Sequence, residues 1–135
     1  EAIVMAMAHG YAKASGQTAL AIVHDLVGLM TGSVGVYDAW CDRAPVLILG
    51  GSGPFDPEKR RYIDWVHTAS MQSDLVKPFA KWTDEPPTLP AMFESMLRAR
   101  RIAESAPTRP TYVSIDAGLQ ELRLDGIPRE RIGIQ

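Results

Sequence analysis

"TALAIVHDLVGLMTGSVGVYDAWCDRAPVLILGG", residues 18–51, is the stretch of sequence that decides the fold. Its two ends, "TALAIV" (18–23) and "PVLILGG" (45–51), are short apolar runs typical of strands buried on both faces of a sheet. The segment between them, 27–40, reads as a helix whose glycines permit close packing. A strand, a helix and a second strand in this order predict a parallel βαβ unit.

The same alternation continues on both sides of this unit. Residues 2–14 are rich in alanine, a strong helix former, and Ser15-Gly16 supplies a stop. Downstream we expect a helical turn near 57–66, a strand at 75–82 weakened by Pro78, an amphipathic helix over about four turns from 89, and a last strand at 109–116. These elements predict an α/β fold with three layers, α/β/α, around a mostly parallel sheet in a flavodoxin-like arrangement.

Composition excludes several classes of partner. The 135 residues carry a net charge of −2 with acidic and basic residues interleaved, which gives no electrostatic case for nucleic acid. The apolar segments fall short of a membrane span, so we expect no membrane association. A single cysteine, Cys41, excludes an internal disulfide and fits a reducing cytoplasm.

Ligands of parallel α/β sheets gather at the carboxyl ends of the strands, which directs attention to His24-Asp25, Gly50–Gly53, the segment after Trp82, and Asp116. The turn "GGSG" lacks the Gly-Lys-Ser/Thr ending of a phosphate loop, so a tight strand exit is the better interpretation. No serine lies in a G-x-S-x-G elbow, and the histidines show no metal-ligand spacing, so we expect no metal site. His24-Asp25 is equally well explained as a site or as a loop-stabilising pair, and His67 is expected to face a cleft.

Four segments in order resemble the pyrimidine-binding (PYR) domain of thiamine-diphosphate enzymes of the acetolactate synthase type. The resemblance covers residue 1 to about 121. It rests on "EAIVMAMAHGYAKASG" (1–16), "GSVGVYDAWCDRAPVLILGGSGP" (32–54), "VKPFAKW" (76–82) and "RARRIAESAPTRPTYVSIDAGLQE" (98–121). It implies a partial PYR domain at 1–121, followed by a tail or the start of a linker at 122–135.

The resemblance also implies roles for individual residues. Glu1 matches the catalytic glutamate, whose carboxylate hydrogen-bonds the aminopyrimidine of thiamine diphosphate and promotes proton removal from its thiazolium ring. The segment "DLVGLMT" (25–31) matches the loop that contacts the pyrimidine, which assigns cofactor contacts to Val27, Gly28 and Thr31. The family's pattern for this loop is S-G-P-G-x-x-N. Of it only Gly28 is kept, with Val27 in place of the proline and Thr31 in place of the asparagine. The expected substrate-facing residues are His24, Asp25 and His67.

The Gly-Asp-Gly…Asn pattern of the family's diphosphate-binding domain is absent from these 135 residues. The resemblance therefore implies half of a site, with magnesium and the other half supplied by a diphosphate-binding domain of the same or another chain. Flavin is possible but has no support in the sequence. A PYR domain begins with a strand, a helix and a second strand before the catalytic glutamate, and none of these is present here. The apolar surface that they would cover predicts a homo-oligomer. The competing hypotheses are an enzyme part that decarboxylates or ligates 2-keto acids, an inactive stand-alone binding or oligomerisation module, and a nucleotide-binding α/β domain that lacks any phosphate fingerprint.

Overall fold

The computed structural model describes residues 1–125, and they form four strands and five helices. Three short 3₁₀ turns, Pro57–Lys59, Gln72–Leu75 and Lys77–Phe79, lie in the long connection between the second and third strands. In chain order the elements are α1 (Ala2–Ser15), β1 (Ala19–Val23), α2 (Leu26–Cys41), β2 (Val46–Ser52), α3 (Tyr62–His67), β3 (Trp82–Asp84), α4 (Leu89–Glu104), β4 (Thr111–Asp116) and α5 (Ala117–Gln120).

The four strands form one sheet in the order β1-β2-β4-β3, and every neighbouring pair is parallel. The register pairs Ala21 with Ile48 and Ile48 with Tyr112, so these three residues share one face. All strands end at the same edge of the sheet, where His24, Ser52 and Asp116 lie. The predicted strands at 18–23, 45–51 and 109–116 are confirmed. The predicted burial on both faces is wrong for β1, which lies at the edge of the sheet and leaves Leu20 and Ile22 exposed, whereas β4 is buried along nearly its whole length.

Helices α1 and α2 cover one face of the sheet. Met5, Leu29 and Val36 are fully buried there, in one cluster with Ala21 and Ile48. The two helices approach closely because α2 presents glycines to α1. A Cβ placed on Gly35 would lie 2.6 Å from the Cβ of Met5.

Helix α4 packs on the opposite face. Ala99 and Ala103 are fully buried, and the Thr111 hydroxyl donates to the Ala99 carbonyl over 3.1 Å. Thr88 caps the helix by accepting from the Ala91 backbone N–H at 3.4 Å. Helices on both sides of a parallel sheet make three layers, so the predicted α/β/α fold is confirmed.

The predicted strand at 75–82 is wrong. The segment instead forms the two 3₁₀ turns that end at Leu75 and Phe79, and a strand begins only at Trp82. Pro78 lies within the first two positions of the second turn, where a missing backbone N–H costs nothing. Val76 and Ala80 are buried by these turns, so an apolar run here reflects burial without a sheet ladder.

The predicted tail begins after a short helix that the sequence did not indicate. Asp116 caps α5 by accepting from the Leu119 backbone N–H at 3.1 Å. Of the predicted tail, 122–135, residues 122–125 are exposed and the remainder lies outside the described residues. Within 1–125, none of the helices has both the length and the apolar character needed to cross a bilayer.

Candidate functional site

The Glu1 side chain lies at the N-terminus of α1 and is exposed. It makes no capping bond to its own helix, and its Oε1 accepts from the His24 backbone N–H at 3.4 Å. The positive end of the α1 dipole stabilises a carboxylate at this position. Glu1 thus presents a carboxylate with spare hydrogen-bonding capacity beside the carboxyl edge of β1.

Gly28, in the first turn of α2, packs directly against this carboxylate. A Cβ built on Gly28 would lie 2.9 Å from both the Glu1 Oε1 and the His24 Cβ, too close for any side chain. Val27 next to it is half exposed, and the Thr31 hydroxyl donates to the Gly28 carbonyl over 3.0 Å. The structure therefore brings Gly28 to Glu1 and leaves Val27 as an open apolar surface, while Thr31 serves its own helix.

His24 and Asp25 follow β1 directly, and Asp25 is the N-cap residue of α2 without forming a side-chain cap. His67 ends α3 and reaches this pair from a distant part of the sequence. The His24 and His67 rings meet edge to face with centroids 5.9 Å apart. The three predicted substrate-facing residues, His24, Asp25 and His67, are therefore neighbours in space.

Short-range contacts hold α3 in the position that delivers His67. The Asp64 carboxylate accepts from the Arg61 backbone N–H at 2.8 Å and from its Nε at 3.3 Å, which caps the helix. The hydrogen bond from the Arg61 backbone N–H, reinforced by the Arg61 side chain, holds the pKa of Asp64 below its usual range. After the helix, the Thr68 hydroxyl accepts from the Gly53 backbone N–H at 2.9 Å and ties the chain to the end of β2.

Four polar residues of this edge were missed by sequence reasoning. A recess of about 310 Å³ contains them together with His24, Asp25 and His67. Arg61 and Asp64 could have been found from their i, i+3 spacing at a helix start, whereas Gln120 and Glu121 follow β4 and belong to no motif. The missed residues are Arg61, Asp64, Gln120 and Glu121.

The third histidine and the glycine turn have structural roles. His9, on α1, pairs with the Asp42 carboxylate at 2.8 Å. The Gly50 and Gly51 positions belong to β2 itself, so "GGSG" continues the strand before it turns. Gly51 has no room for a side chain because a Cβ there would overlap the Asp25 carboxylate.

Comparison with known proteins identifies the fold and its relatives. Residues 1–74 match the family model of the thiamine pyrophosphate enzyme, N-terminal TPP binding domain. The benzoylformate decarboxylase of Pseudomonas aeruginosa is 30% identical over 118 residues, which are 85% of this chain and 21% of that protein. The chain thus spans about a fifth of the length of this curated relative.

Solved structures show the same fold at lower identity. The benzoylformate decarboxylase of Polynucleobacter necessarius superposes with a TM-score of 0.81 at 22% identity, covering 94% of this chain and 23% of that one. The thiamine diphosphate-dependent 4-hydroxybenzoylformate decarboxylase of Rhodococcus jostii RHA1 gives 0.76 at 20% identity, covering 90% and 25%. Because the family model matches more than half of the chain, and the fold agrees, the chain belongs to the thiamine pyrophosphate enzymes as an N-terminal TPP binding domain.

Proposed function

We propose that residues 1–121 form the pyrimidine-binding half-site of a thiamine-diphosphate enzyme that decarboxylates or ligates 2-keto acids, with decarboxylation the better supported reaction. The single observation that carries this proposal is the open Glu1 carboxylate at the start of α1, above a glycine that leaves no side chain beneath it. The matched relatives supply the reaction class, since they are named as decarboxylases of aryl-substituted 2-keto acids.

The residues present fit the aminopyrimidine part of the cofactor. Gly28 has no side chain that would displace the Glu1 carboxylate, Val27 offers an apolar surface, and Glu1 offers a hydrogen-bond acceptor. Glu1, Val27 and Gly28 would hold the ring, and the Thr31 hydroxyl would steady the backbone of Gly28. When bound, thiamine diphosphate supplies the nucleophilic carbon and the electron sink for the reaction.

The chain's own groups have separable roles. Glu1 would accept a hydrogen bond from a protonated ring nitrogen of the pyrimidine, and the positive end of the α1 dipole points at its carboxylate. His24 and His67 lie on the next positions along the edge and are placed to exchange a proton with a substrate carboxylate or carbonyl oxygen. Asp25 lies beside both imidazoles, with a carboxylate oxygen within 4.8 Å of a ring nitrogen of each.

A half-site predicts that this chain alone holds the cofactor weakly. The 135 residues contain no asparagine and no Gly-Asp-Gly, so the magnesium and diphosphate contacts must come from elsewhere. Calorimetry with thiamine diphosphate and Mg²⁺ should show no saturable binding to the chain alone. A chimera with residues 1–121 in place of the matching segment of the Pseudomonas aeruginosa relative, hereafter the chimera, should bind the cofactor in a magnesium-dependent way.

Two outcomes would contradict the half-site. Saturable, magnesium-dependent binding in the micromolar range by the chain alone would mean that it holds a complete site. A folded, oligomeric chimera that binds no cofactor would mean that these residues do not contact the pyrimidine.

The alternative function, an inactive binding or oligomerisation module, is favoured by the apolar surface of α2. Four of its residues are at least half exposed and recur at intervals of three and four, which places them on one face of the helix. They are Val27, Met30, Val34 and Tyr37. An apolar stripe of this length is usually covered in a partner contact, so we propose a homo-oligomer under either function.

The oligomer proposal predicts the effect of a charge on this stripe. Light scattering should give the wild-type chain a mass of at least a dimer, and Val34→Lys should reduce it to a monomer because a buried lysine opposes association. Leu97→Lys, on an exposed position of α4, is the matched control and should leave the mass unchanged. A monomeric wild-type chain would contradict the proposal.

We also place the chain in the cytoplasm. Cys41 is its one cysteine, and its thiol is free and exposed. Such thiols persist in reducing compartments.

A further inference from the structure

The His24, Asp25 and His67 side chains form a compact cluster of metal-binding donors. One ligand atom from each, two imidazole nitrogens and one carboxylate oxygen, lies within 4.8 Å of the other two. The cluster combines the end of β1, the start of α2 and the end of α3. Sequence spacing could not reveal it, because 41 residues lie between Asp25 and His67.

The donor set points to a transition metal. Two imidazoles and one carboxylate are a frequent three-ligand set for zinc, whereas calcium and magnesium prefer oxygen donors throughout. Among residues 1–125, the side chains of His24, Asp25 and His67 form no hydrogen bond or ion pair. The bonds at this edge are made by the His24 backbone N–H and by the side chains around Arg61. Their donor atoms are therefore available without breaking a hydrogen bond or an ion pair.

The surrounding charge favours a dication. The recess also contains Asp64 and Glu121, and its one guanidinium, Arg61, lies 3.3 Å from a carboxylate oxygen of each. Three carboxylates, counting that of Asp25, thus face one guanidinium that is already paired. A recess with this excess of negative charge attracts cations.

The distances need only a modest adjustment. Tetrahedral zinc with bonds of about 2.0–2.1 Å holds its ligand atoms about 3.3 Å apart. His24 is exposed and the other two side chains are half-buried, so rotation about their side-chain bonds can close the difference. Three protein ligands leave the fourth position of a tetrahedral ion open to water or an anion.

We propose that His24, Asp25 and His67 bind one divalent transition-metal ion, for which zinc is the best match. The ion would engage the same imidazoles that the proposed function assigns to the substrate. Bound metal and productively bound 2-keto acid would then exclude each other, and zinc would inhibit the assembled enzyme reversibly. Metal binding itself does not depend on the proposed function, because it requires no thiamine diphosphate.

Titration of the full chain with Zn²⁺ against a chromophoric chelator, without cofactor, tests the site. We expect one ion per chain and an affinity that falls about 10- to 100-fold or more in His67→Ala and in Asp25→Asn. His9→Ala is the matched control, since His9 lies on α1 beside Asp42, and should leave the affinity unchanged. Circular dichroism should show the same fold in all variants.

Cobalt gives a second readout that a merely structural effect would not produce. Co²⁺ added to the wild-type chain should develop the visible absorption of a four-coordinate site, and His67→Ala should abolish it. The proposal is overturned if the wild-type chain binds no ion saturably, or if His9→Ala weakens binding as much as His67→Ala. Cofactor binding by the chimera would be untouched by that result, so the failure of the metal site and of the proposed function are distinguishable.

Discussion

Replacing Glu1 by glutamine in the chimera should lower the rate of benzoylformate decarboxylation by about 10²- to 10⁴-fold, the range that positioned acid–base groups contribute. Glutamine keeps the size of the side chain and leaves Gly28 and His24 undisturbed. It removes the negative charge of the carboxylate, which would stabilise a protonated ring nitrogen of the pyrimidine by accepting its hydrogen bond. The change should therefore appear mainly in kcat, with cofactor affinity affected much less, and steady-state kinetics at saturating cofactor would measure it.

Glu104→Gln is the matched control for this substitution. Glu104 ends α4, where it accepts from the Thr18 hydroxyl at 3.0 Å and from the Arg100 Nε at 2.8 Å, so the same chemical change is made at a salt bridge outside the site. We expect its kcat to equal that of the parent chimera. Equal kcat values for Glu1→Gln and Glu104→Gln would show that Glu1 has no part in the reaction.

A direct assay of the cofactor separates the proton step from the rest of the cycle. Exchange of the thiazolium proton for deuterium, followed by NMR after rapid quenching, should be slowed by Glu1→Gln to a similar extent as the reaction. If Glu1→Gln lowered kcat but left the rate of proton exchange unchanged, Glu1 would act in a step after proton removal from the thiazolium ring.

Much of the fold could be predicted because its signals are local. The apolar runs ending at Val23 and Gly51 are nearly continuous, and the alanine-rich α1 stops at a glycine with φ of +69°, a conformation that other residues rarely adopt. The segment 75–82 was misread because its apolar residues are buried by turns. Periodicity reports burial there, and only Pro78 indicated that a ladder was absent.

The candidate site was less predictable because it is assembled by topology. The placement of Glu1 beside His24 follows from α1 packing against the end of β1, and of the two only Glu1 lies within a segment that carries the resemblance. The meeting of His24 with His67 depends on where α3 crosses the sheet edge, which no local pattern encodes. Glu121 joins the same recess only because β4 lies next to β2.

Replacing Gly50 by alanine should have the largest effect on stability. Gly50 lies in β2, and an added Cβ would overlap the Tyr112 hydroxyl and lie 2.7 Å from its Cε2. Tyr112 is fully buried, and its hydroxyl accepts from the Gln72 Nε2 at 3.0 Å, while the same nitrogen donates to the Gly51 carbonyl at 2.7 Å. Burial raises the pKa of Tyr112, so the ring is neutral and cannot move toward water without losing this contact.

Overpacking a well-filled core typically lowers the free energy of unfolding by about 1–3 kcal/mol. Because the Tyr112 ring is rigid and cannot give way, we expect Gly50→Ala to lower it by about 3 kcal/mol. For a domain of this size that corresponds to a Tm lower by roughly 10 °C in a thermal melt. Gly10→Ala is the matched control, because Gly10 lies within α1 and, apart from the neighbouring backbone of that helix, no atom lies within 4 Å of an added Cβ. It should instead stabilise the chain by about 0.5–1 kcal/mol through its helix propensity.

Removing the tyrosine hydroxyl tests whether the overlap with Tyr112 is the cause. Tyr112→Phe deletes the atom nearest to the added methyl group, and Gln72 keeps its bond to the Gly51 carbonyl. The free energy of unfolding lost by Gly50→Ala should therefore be smaller in the Tyr112→Phe background, which a double-mutant cycle in denaturant would measure. If the two losses were equal, the instability of Gly50→Ala would arise from the ring carbons or from the backbone of β2, and the close approach of the tyrosine hydroxyl would not be what requires glycine at this position.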